Sequence, residues 1–292
     1  MTAADAVFIE HRSLLFTIAY EIAGTIVDAE DILHEAYLRW IEVDQSTVVN
    51  PRNYLAQIVA RQALNHLRSS QRRRECYVGS WLPEPVSTGH GADVDPDLAD
   101  SVSVAMMVVL ESLTPDERAV FVLHEVFRFA LTEIAAFTGK SEAAVRQIAR
   151  RSRSHVQARH RRFEAHPDRA DEVVARFLDS ARSGDLQSLM NLLAPDVVQL
   201  SDGGGKVVAA RRSVTGAATV AHFCIGVARK APPLRVQFIR FNEMPAMACW
   251  DGETAYQVVL FDITDGLIHG IYAVRNPEKL TNIGRVFNLS RS

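Results

Sequence analysis

The stretch LTEIAAFTGKSEAAVRQIARRSRSHV, residues 131–156, decides how the middle of this chain folds. Its first half is a short helix with Ile134 and Ala135, stopped at Gly139, the residue type suited to a left-handed helix end. Ser141 then caps a longer helix whose Val145, Ile148, Ala149 and Ser152 face inward. Arg146, Arg150 and Arg153 recur at i, i+4 and i+7 on the opposite face, with Gln147 beside them. Helix, tight turn, helix, with the guanidiniums on the second helix, is the pattern that lays a helix into the DNA major groove. There arginine can read guanine edges and glutamine adenine, while the capped N–H groups suit a phosphate. The alternative is a solvated basic helix with no ligand.

The residues around this pair extend the reading. Thr114-Pro115-Asp116-Glu117 is a capping box with proline at the first helical position, followed by an apolar stripe of Ala119, Val122, Leu123 and Val126. From Lys140 to Arg162 eight basic residues face a single acid, Glu142. Such a block inside a chain of net charge −3 is a local anion-binding surface.

The N-terminal part is helical as well, with sorted charge. DAEDILHEAYLRW (28–40) places Leu33, Ala36, Tyr37 and Trp40 on one face and leaves Glu30, Asp31, His34 and Glu35 outside. Asp28 to Asp31 reads as the helix start, where the dipole favours acids. This face repels phosphate and suits a basic protein partner; a metal site is the weaker reading, because no further ligands are placed nearby. Asn50-Pro51 opens a third helix that ends in RQALNHLRSSQRRR (61–74). Arg61, Asn65, Arg68 and Arg72 share one of its faces, able to hold phosphates and to read bases, or simply to be solvated.

Residues 79–100, GSWLPEPVSTGHGADVDPDLAD, break the periodicity with prolines, glycines and acids, and read as a linker. Beyond 168, two helices precede strand-like runs DVVQLSDGGGKVVAA, PLRVQFIRFN, AYQVVLFDIT and GLIHGIYAVRN, with Asp265-Gly266 as a two-residue hairpin turn. Helices packed on a curved antiparallel sheet are expected there.

At 292 residues, 48% hydrophobic and 23% charged, the chain has material for two or three cored domains. Three scattered cysteines (Cys76, Cys224, Cys249) make neither a disulfide framework nor a zinc site. With neither a signal-peptide pattern nor a membrane-length apolar run, a cytoplasmic protein without membrane attachment is expected.

An acidic docking helix, a basic helix, an acidic linker and a helix-turn-helix, in that order, resemble the extracytoplasmic-function (ECF) sigma factors of bacterial RNA polymerase. DAEDILHEAYLRW with PRNYLAQIVARQALNHLRS is similar to the sigma-2 region, and LTPDERAVFVLHEVFRFALTEIAAFTGKSEAAVRQIARRSRSHV to sigma-4. WLPEP (81–85), DGGGK (202–206) and NPEKL (276–280) resemble a sigma-factor-J-like subgroup carrying a C-terminal SnoaL-like (NTF2-like) domain.

The resemblance implies a multidomain chain of two all-α sigma domains and an α+β NTF2-like cone. Sigma-2 would span 1–78, the acidic linker 79–100, sigma-4 101–163 and the regulatory domain 168–292. It implies that Asp28, Asp31, Glu35 and Trp40 dock the clamp helices of the largest subunit of the RNA polymerase core, and that 42–53 captures a flipped base. Arg61, Asn65, Arg68 and Arg72 would hold the −10 strand of promoter DNA. Ser141, Arg146, Gln147, Arg150 and Arg153 would read the −35 element. The linker would thread toward the RNA channel. Trp81, Leu82, Pro83, Asp202, Lys206, Asn276, Pro277 and Lys279 would regulate the sigma domains in cis, NPEKL latching against WLPEP.

No cofactor or metal is implied, and the C-terminal cavity leaves room for a small-molecule ligand. Two rivals remain: a ligand-sensing helix-turn-helix regulator, and a SnoaL-type cyclase or isomerase using Asp202, His222, Tyr256, Asp262 or His269 to move protons. Surface polar residues on strands are the blander reading of those five. DGGGK reads as a tight glycine turn rather than a phosphate loop, since no helix follows it.

Overall fold

The computed structural model describes residues 3–88, 96–158 and 167–291, without the side chains of 3, 71–75, 96–97 and 167–169. Arg72 and the linker acids Asp93, Asp95 and Asp97 therefore lie outside the described side chains. In chain order the helices are α1 (Ala3–Ala23), α2 (Ile26–Ile41), α3 (Pro51–Glu75), α4 (Pro96–Val102), α5 (Val104–Leu110), α6 (Pro115–Phe121), α7 (Leu131–Thr138), α8 (Glu142–Gln157), α9 (Pro167–Ser183), α10 (Leu186–Met190) and α11 (Ala217–Lys230). The strands are β1 (Leu193–Asp202), β2 (Val214–Thr215), β3 (Arg235–Phe241), β4 (Met244–Asp251), β5 (Thr254–Thr264) and β6 (Leu267–Val274). The chain forms two compact units. The first is Met1–Glu75 with Met106–Arg161 and Asn288–Ser292; the second is Cys76–Ala105 with Arg162–Phe287.

In the first unit α1 is buried on every side from Leu14 to Ala23. A helix apolar all round must lie within a core, and α2, α3 and the Val122–Val126 turn pack against it. The cap of α2 differs from the sequence expectation. Thr25, not Asp28, is the N-cap: its Oγ1 accepts from the Asp28 backbone N–H at 3.2 Å and donates to the Asp28 carboxylate at 2.6 Å. Asp28 still acts in the first turn, as the side chain that closes the cap. Asn50 starts α3 as expected, its Oδ1 accepting from the Asn53 N–H at 3.1 Å. Thr114 and Glu117 complete both arms of the capping box of α6. After α6 the helix widens into a π turn (Val122–Val126) and breaks near Arg128, whose φ is +60°. Gly139 ends α7 at φ +69° and Ser141 caps α8, as the spacing predicts.

The second unit is a six-stranded sheet in the order β2-β1-β6-β5-β4-β3, backed by α9, α10 and α11. From β3 to β6 it is an antiparallel meander, but β1 pairs with β6 in parallel, so the sheet is mixed. The parallel pair follows from connectivity: after β1 and β2 the chain crosses through α11 to the far edge and meanders back to lie beside its starting strand. The core is Val174, Phe177, Leu189, Val197, Val220, Phe261, Ile268 and their neighbours. Both central residues of the Asp265-Gly266 turn have positive φ (53° and 75°), the geometry of a tight hairpin. The same holds at Asn242-Glu243 between β3 and β4 (53° and 58°). This is the helix-backed cone expected for an NTF2-like domain.

The segment read as a linker is largely built into the second unit. Leu82, Pro83, Glu84, Pro85, Val86 and Ser87 are all buried. Composition suggested solvent because prolines and glycines usually mark loops. Here they shape an extended strap whose polar groups find partners far along the chain.

Candidate nucleic-acid interface

Two constellations stand out, one in each unit. In the first, the face of α3 expected to meet DNA is in contact with the helix-turn-helix. The last carbonyls of α7 lack intrahelical donors, and Arg61 supplies them: Nε donates to Phe137 O at 3.0 Å and Nη2 to Ala136 O at 2.8 Å. The charge sits where the helix dipole favours a cation. Gln57 Nε2 adds a bond to Ala136 O (3.2 Å), and Asn53 donates to the Glu133 carboxylate. Further along, Arg68 Nη2 meets Asp116 Oδ1 at 2.6 Å while Lys140 Nζ lies 3.0 Å from Asp116 Oδ2. Burial works to raise the Asp116 pKa, but the Lys140 and Arg68 bonds and charges outweigh it and hold the carboxyl below its usual range.

A deeper tie is Arg118 on α6. Only 1% exposed, it donates through Nε (3.0 Å) and Nη2 (2.8 Å) to the backbone oxygen of Glu21 on α1 and pairs with Glu111. Asn65 is exposed and makes no side-chain bond among the described residues.

On α8 the arginine face is exposed as the spacing implied. Arg146 pairs with Glu142 (2.5 Å) and Arg153 with Glu125 (2.6 Å). Gln147 and Arg150 point outward with no side-chain bond among the described residues, and the Ser141 Oγ accepts from the Ala144 N–H at 3.3 Å. Exposed pairs like these are worth about 0–1 kcal/mol, so phosphate can displace the acids. Between α3, α7 and the 43–50 segment lies a pocket of about 370 Å³ lined by Val48, Asn50, Asn53, Tyr54 and Phe137.

On α2, Asp31 and Glu35 are exposed among exposed Val27, Leu38 and Ile41. Asp28 is half-buried at the cap, 3.2 Å from His66. Trp40 is 1% exposed and donates from Nε1 to Ala4 O at 3.0 Å. It is a core residue and reaches no partner surface, because an indole this large is held where its apolar area is buried.

In the second unit the strap is locked by a buried ion pair. Asp202, fully buried at the end of β1, accepts at Oδ1 from Tyr77 Oη (2.6 Å) and the Gly204 N–H (3.0 Å). At Oδ2 it accepts from the Leu82 N–H (3.0 Å) and Lys279 Nζ (2.8 Å). Lys279 also donates to Leu82 O and sits 4.0 Å over the Trp81 ring. Every lone pair of the carboxylate is thus engaged, which is what allows a charge to be buried. Burial and the Asp202 carboxylate both push the Tyr77 pKa up, so it remains a donor. Asn276 Nδ2 donates to Tyr77 Oη (2.9 Å), and the Arg275 and Asn276 N–H groups donate to Asp202 O. Pro277 opens the short helical turn that positions Lys279. Lys206 pairs with Glu278 at the surface.

The glycines of DGGGK are dictated by space. A Cβ on Gly204 would lie 2.5 Å from Asn276 Nδ2, and one on Gly203 2.6 Å from Val207 O. Beyond WLPEP, buried Asn242 holds both flanks of the strap: Oδ1 accepts from the Val86 N–H (2.9 Å) and Nδ2 donates to Val102 O (2.9 Å). Sequence reasoning singled out Trp81, Leu82, Pro83, Asp202, Lys206, Asn276, Pro277 and Lys279, which the fold gathers here. It missed Tyr77, Asn242 and Arg118. Only Asn242 left a signal, as the residue that ends the strand-like run PLRVQFIRFN.

The groups suggested for proton transfer do not converge. Asp202 is in the lock, His222 is exposed on α11 with Nδ1 2.7 Å from Ala218 O, Tyr256 lies under the Arg275 guanidinium, and His269 is 3.8 Å from Asp196. None of these, nor Asp262, lines the cavity of this unit. Among the described residues no cluster of metal-ligating side chains occurs, and no helix is long and apolar enough to cross a membrane.

These two α-helical parts are those of a sigma-70-type factor: the family model for Sigma-70 region 2 matches residues 7–73, and that for Sigma-70, region 4, matches 103–156. The ECF RNA polymerase sigma factor SigJ of Mycobacterium tuberculosis is 39% identical over 285 residues, covering 92% of this chain and 91% of that protein. The probable ECF RNA polymerase sigma factor SigI of the same organism is 30% identical over 73% of this chain and 74% of its own. The crystal structure of M. tuberculosis SigJ matches with a TM-score of 0.77 at 35% identity, covering 95% of this chain and 98% of that one. The chain belongs to the ECF RNA polymerase sigma factors.

Proposed function

We propose that this chain brings RNA polymerase core to a set of promoters as a non-enzymatic factor, and that its C-terminal domain sets that activity in cis through the strap. The α2 face supports the docking role. Carboxylates Asp31 and Glu35 among exposed Val27, Leu38 and Ile41 suit a basic, partly apolar protein surface such as the clamp helices, and repel DNA. Asp28 builds the start of that helix and Trp40 supports it from beneath. Arg61, Asn65 and Arg68, with Arg72, hold the −10 strand. Ser141, Arg146, Gln147, Arg150 and Arg153 serve the −35 element.

One observation carries the regulatory part: Arg61 and Arg68 already bond to α7 and Asp116. The same guanidiniums cannot hold single-stranded DNA at the same time, so the two α-domains must part before a promoter is bound. Elements at −10 and −35 are separated by roughly 85 Å at ~3.4 Å per base pair. Residues 76–105 join the two domains and reach roughly 100 Å fully extended. With 77–88 pinned by Asp202, Lys279 and Asn242, that reach is withheld. Releasing the strap supplies it.

Reconstituted holoenzyme provides the test. Glu35→Lys abolishes co-purification with core polymerase; survival of the complex would sink the docking assignment. Removing the chain after Asn276 deletes Lys279 and changes promoter output without abolishing core binding. Output equal to that of the intact chain would sink the regulatory assignment while leaving the first intact.

A further inference from the structure

The C-terminal unit encloses a cavity of about 450 Å³ between α9, α11 and the inner face of the sheet, within the range of small-molecule sites. Its walls are mostly apolar: Phe177, Leu178, Val227, Leu234, Met247 and Ile271 among others. Polar groups are few and differ in kind. Gln199 on β1 lines the cavity and is 3% exposed. Its Nε2 donates to Ser201 Oγ at 2.7 Å and Leu200 O at 3.3 Å. The Leu200 carbonyl can only accept, so it fixes the amide with nitrogen toward the strand. That leaves Oε1 buried with no partner. A buried acceptor without a donor is costly, and a ligand hydroxyl or N–H aimed at it removes the cost. At the rim the exposed Arg182 on α9 contributes a cation.

The remaining lining groups argue for binding rather than chemistry. The thiol of Cys224 is pushed up to about 12 by burial, and that of Cys249 is raised for the same reason, so neither is a thiolate at neutral pH. Neither a carboxylate, an imidazole nor a phenol lines the cavity among the described residues.

We propose that this cavity binds an amphipathic acid: an apolar body, a hydroxyl or N–H that donates to Gln199 Oε1 inside, and an anionic end at Arg182. The inference does not depend on promoter recognition, since binding can be read without polymerase or DNA.

The experiment uses the full chain with anilinonaphthalene sulfonate as fluorescent reporter, and dodecanoic acid, ω-hydroxydodecanoic acid and dodecanol as competitors. The hydroxy acid displaces the reporter about tenfold more effectively than the plain acid, the scale of one satisfied buried acceptor. Gln199→Leu abolishes that preference while retaining dodecanoic acid. Arg182→Gln weakens both acids and leaves dodecanol unchanged. Ala228→Phe, which fills the cavity, abolishes displaceable fluorescence; a variant that loses its cooperative melt is replaced by Val259→Phe. Reporter binding that persists in a folded filled variant, equal affinity for the two acids, or a preference unchanged by Gln199→Leu would each overturn the proposal.

Discussion

The contact of α3 with the helix-turn-helix and the fastening of the strap rest on opposite kinds of bond. In the first, α3 and the helix-turn-helix meet through long, mostly exposed side chains: Arg61 on the carbonyl end of α7, Arg68 and Lys140 on Asp116. In the second, the strap is fastened by a carboxylate and an ammonium withdrawn from water, Asp202 and Lys279. Exposed bonds exchange readily for a phosphate or for water and weaken with salt. A buried pair is held all or none, because removing one partner strands the other. The opening proposed above would use both: an exchangeable contact where DNA would arrive, and a discrete fastening that would decide when the chain extends.

The largest way to break this contrast is at the fastening. Lys279→Ala leaves Asp202 charged and buried, and should lower the stability of the strap by about 3–5 kcal/mol. Hydrogen exchange across 77–88 should accelerate by orders of magnitude, while Asp202→Asn with Lys279→Met should recover much of the loss. Next is Gly204→Ala, where φ is +60° and a Cβ would strike the Asn276 amide. A cost of about 1–3 kcal/mol is expected, read as a lower melting temperature with loss of Tyr77 protection.

A smaller effect belongs to Asp116→Asn, which removes the charge shared by Arg68 and Lys140. Closure should weaken by up to about 1 kcal/mol, and single-stranded −10 DNA should bind more tightly. The smallest is its pH counterpart. The folded pKa of Asp116 is depressed, so its contribution is complete above the ordinary carboxylate pKa and fades only as pH falls through the lowered one. Closure measured by interdomain fluorescence transfer should therefore be flat near neutrality and loosen in acid, and Asp116→Asn should abolish that acid limb. High salt should imitate Asp116→Asn and spare the strap.

The helices were legible because their signals are local. Periodicity, the Thr114 box, Gly139 and Ser141 all act within a turn or two, and the exposure of the arginine face of α8 followed directly. The cap of α2 was misplaced because Thr25 closes it from one residue outside the apolar pattern. The strap differs from the linker its composition implies because its partners lie well over a hundred residues away in sequence, at Asp202, Asn242 and Lys279. β4 leaves no alternating signal because Met244 to Cys249 is buried on both faces. Conversely KVVAA looked like a strand, yet Val208 is 87% exposed on a loop. For α3, composition showed which residues could hold an anion; it could not show that helix-end carbonyls already occupy Arg61.

Asn242 has one more consequence. Its single amide grips Val86 on one side and Val102 on the other, so two separate points of the chain are held at one place on the domain. Lengthening a loop whose ends are closed in this way costs only about 0.6 kcal/mol per doubling. An engineer seeking a place to splice in a fluorophore tag or a protease site would choose a position between those two anchors, where added length leaves the docked ends in register.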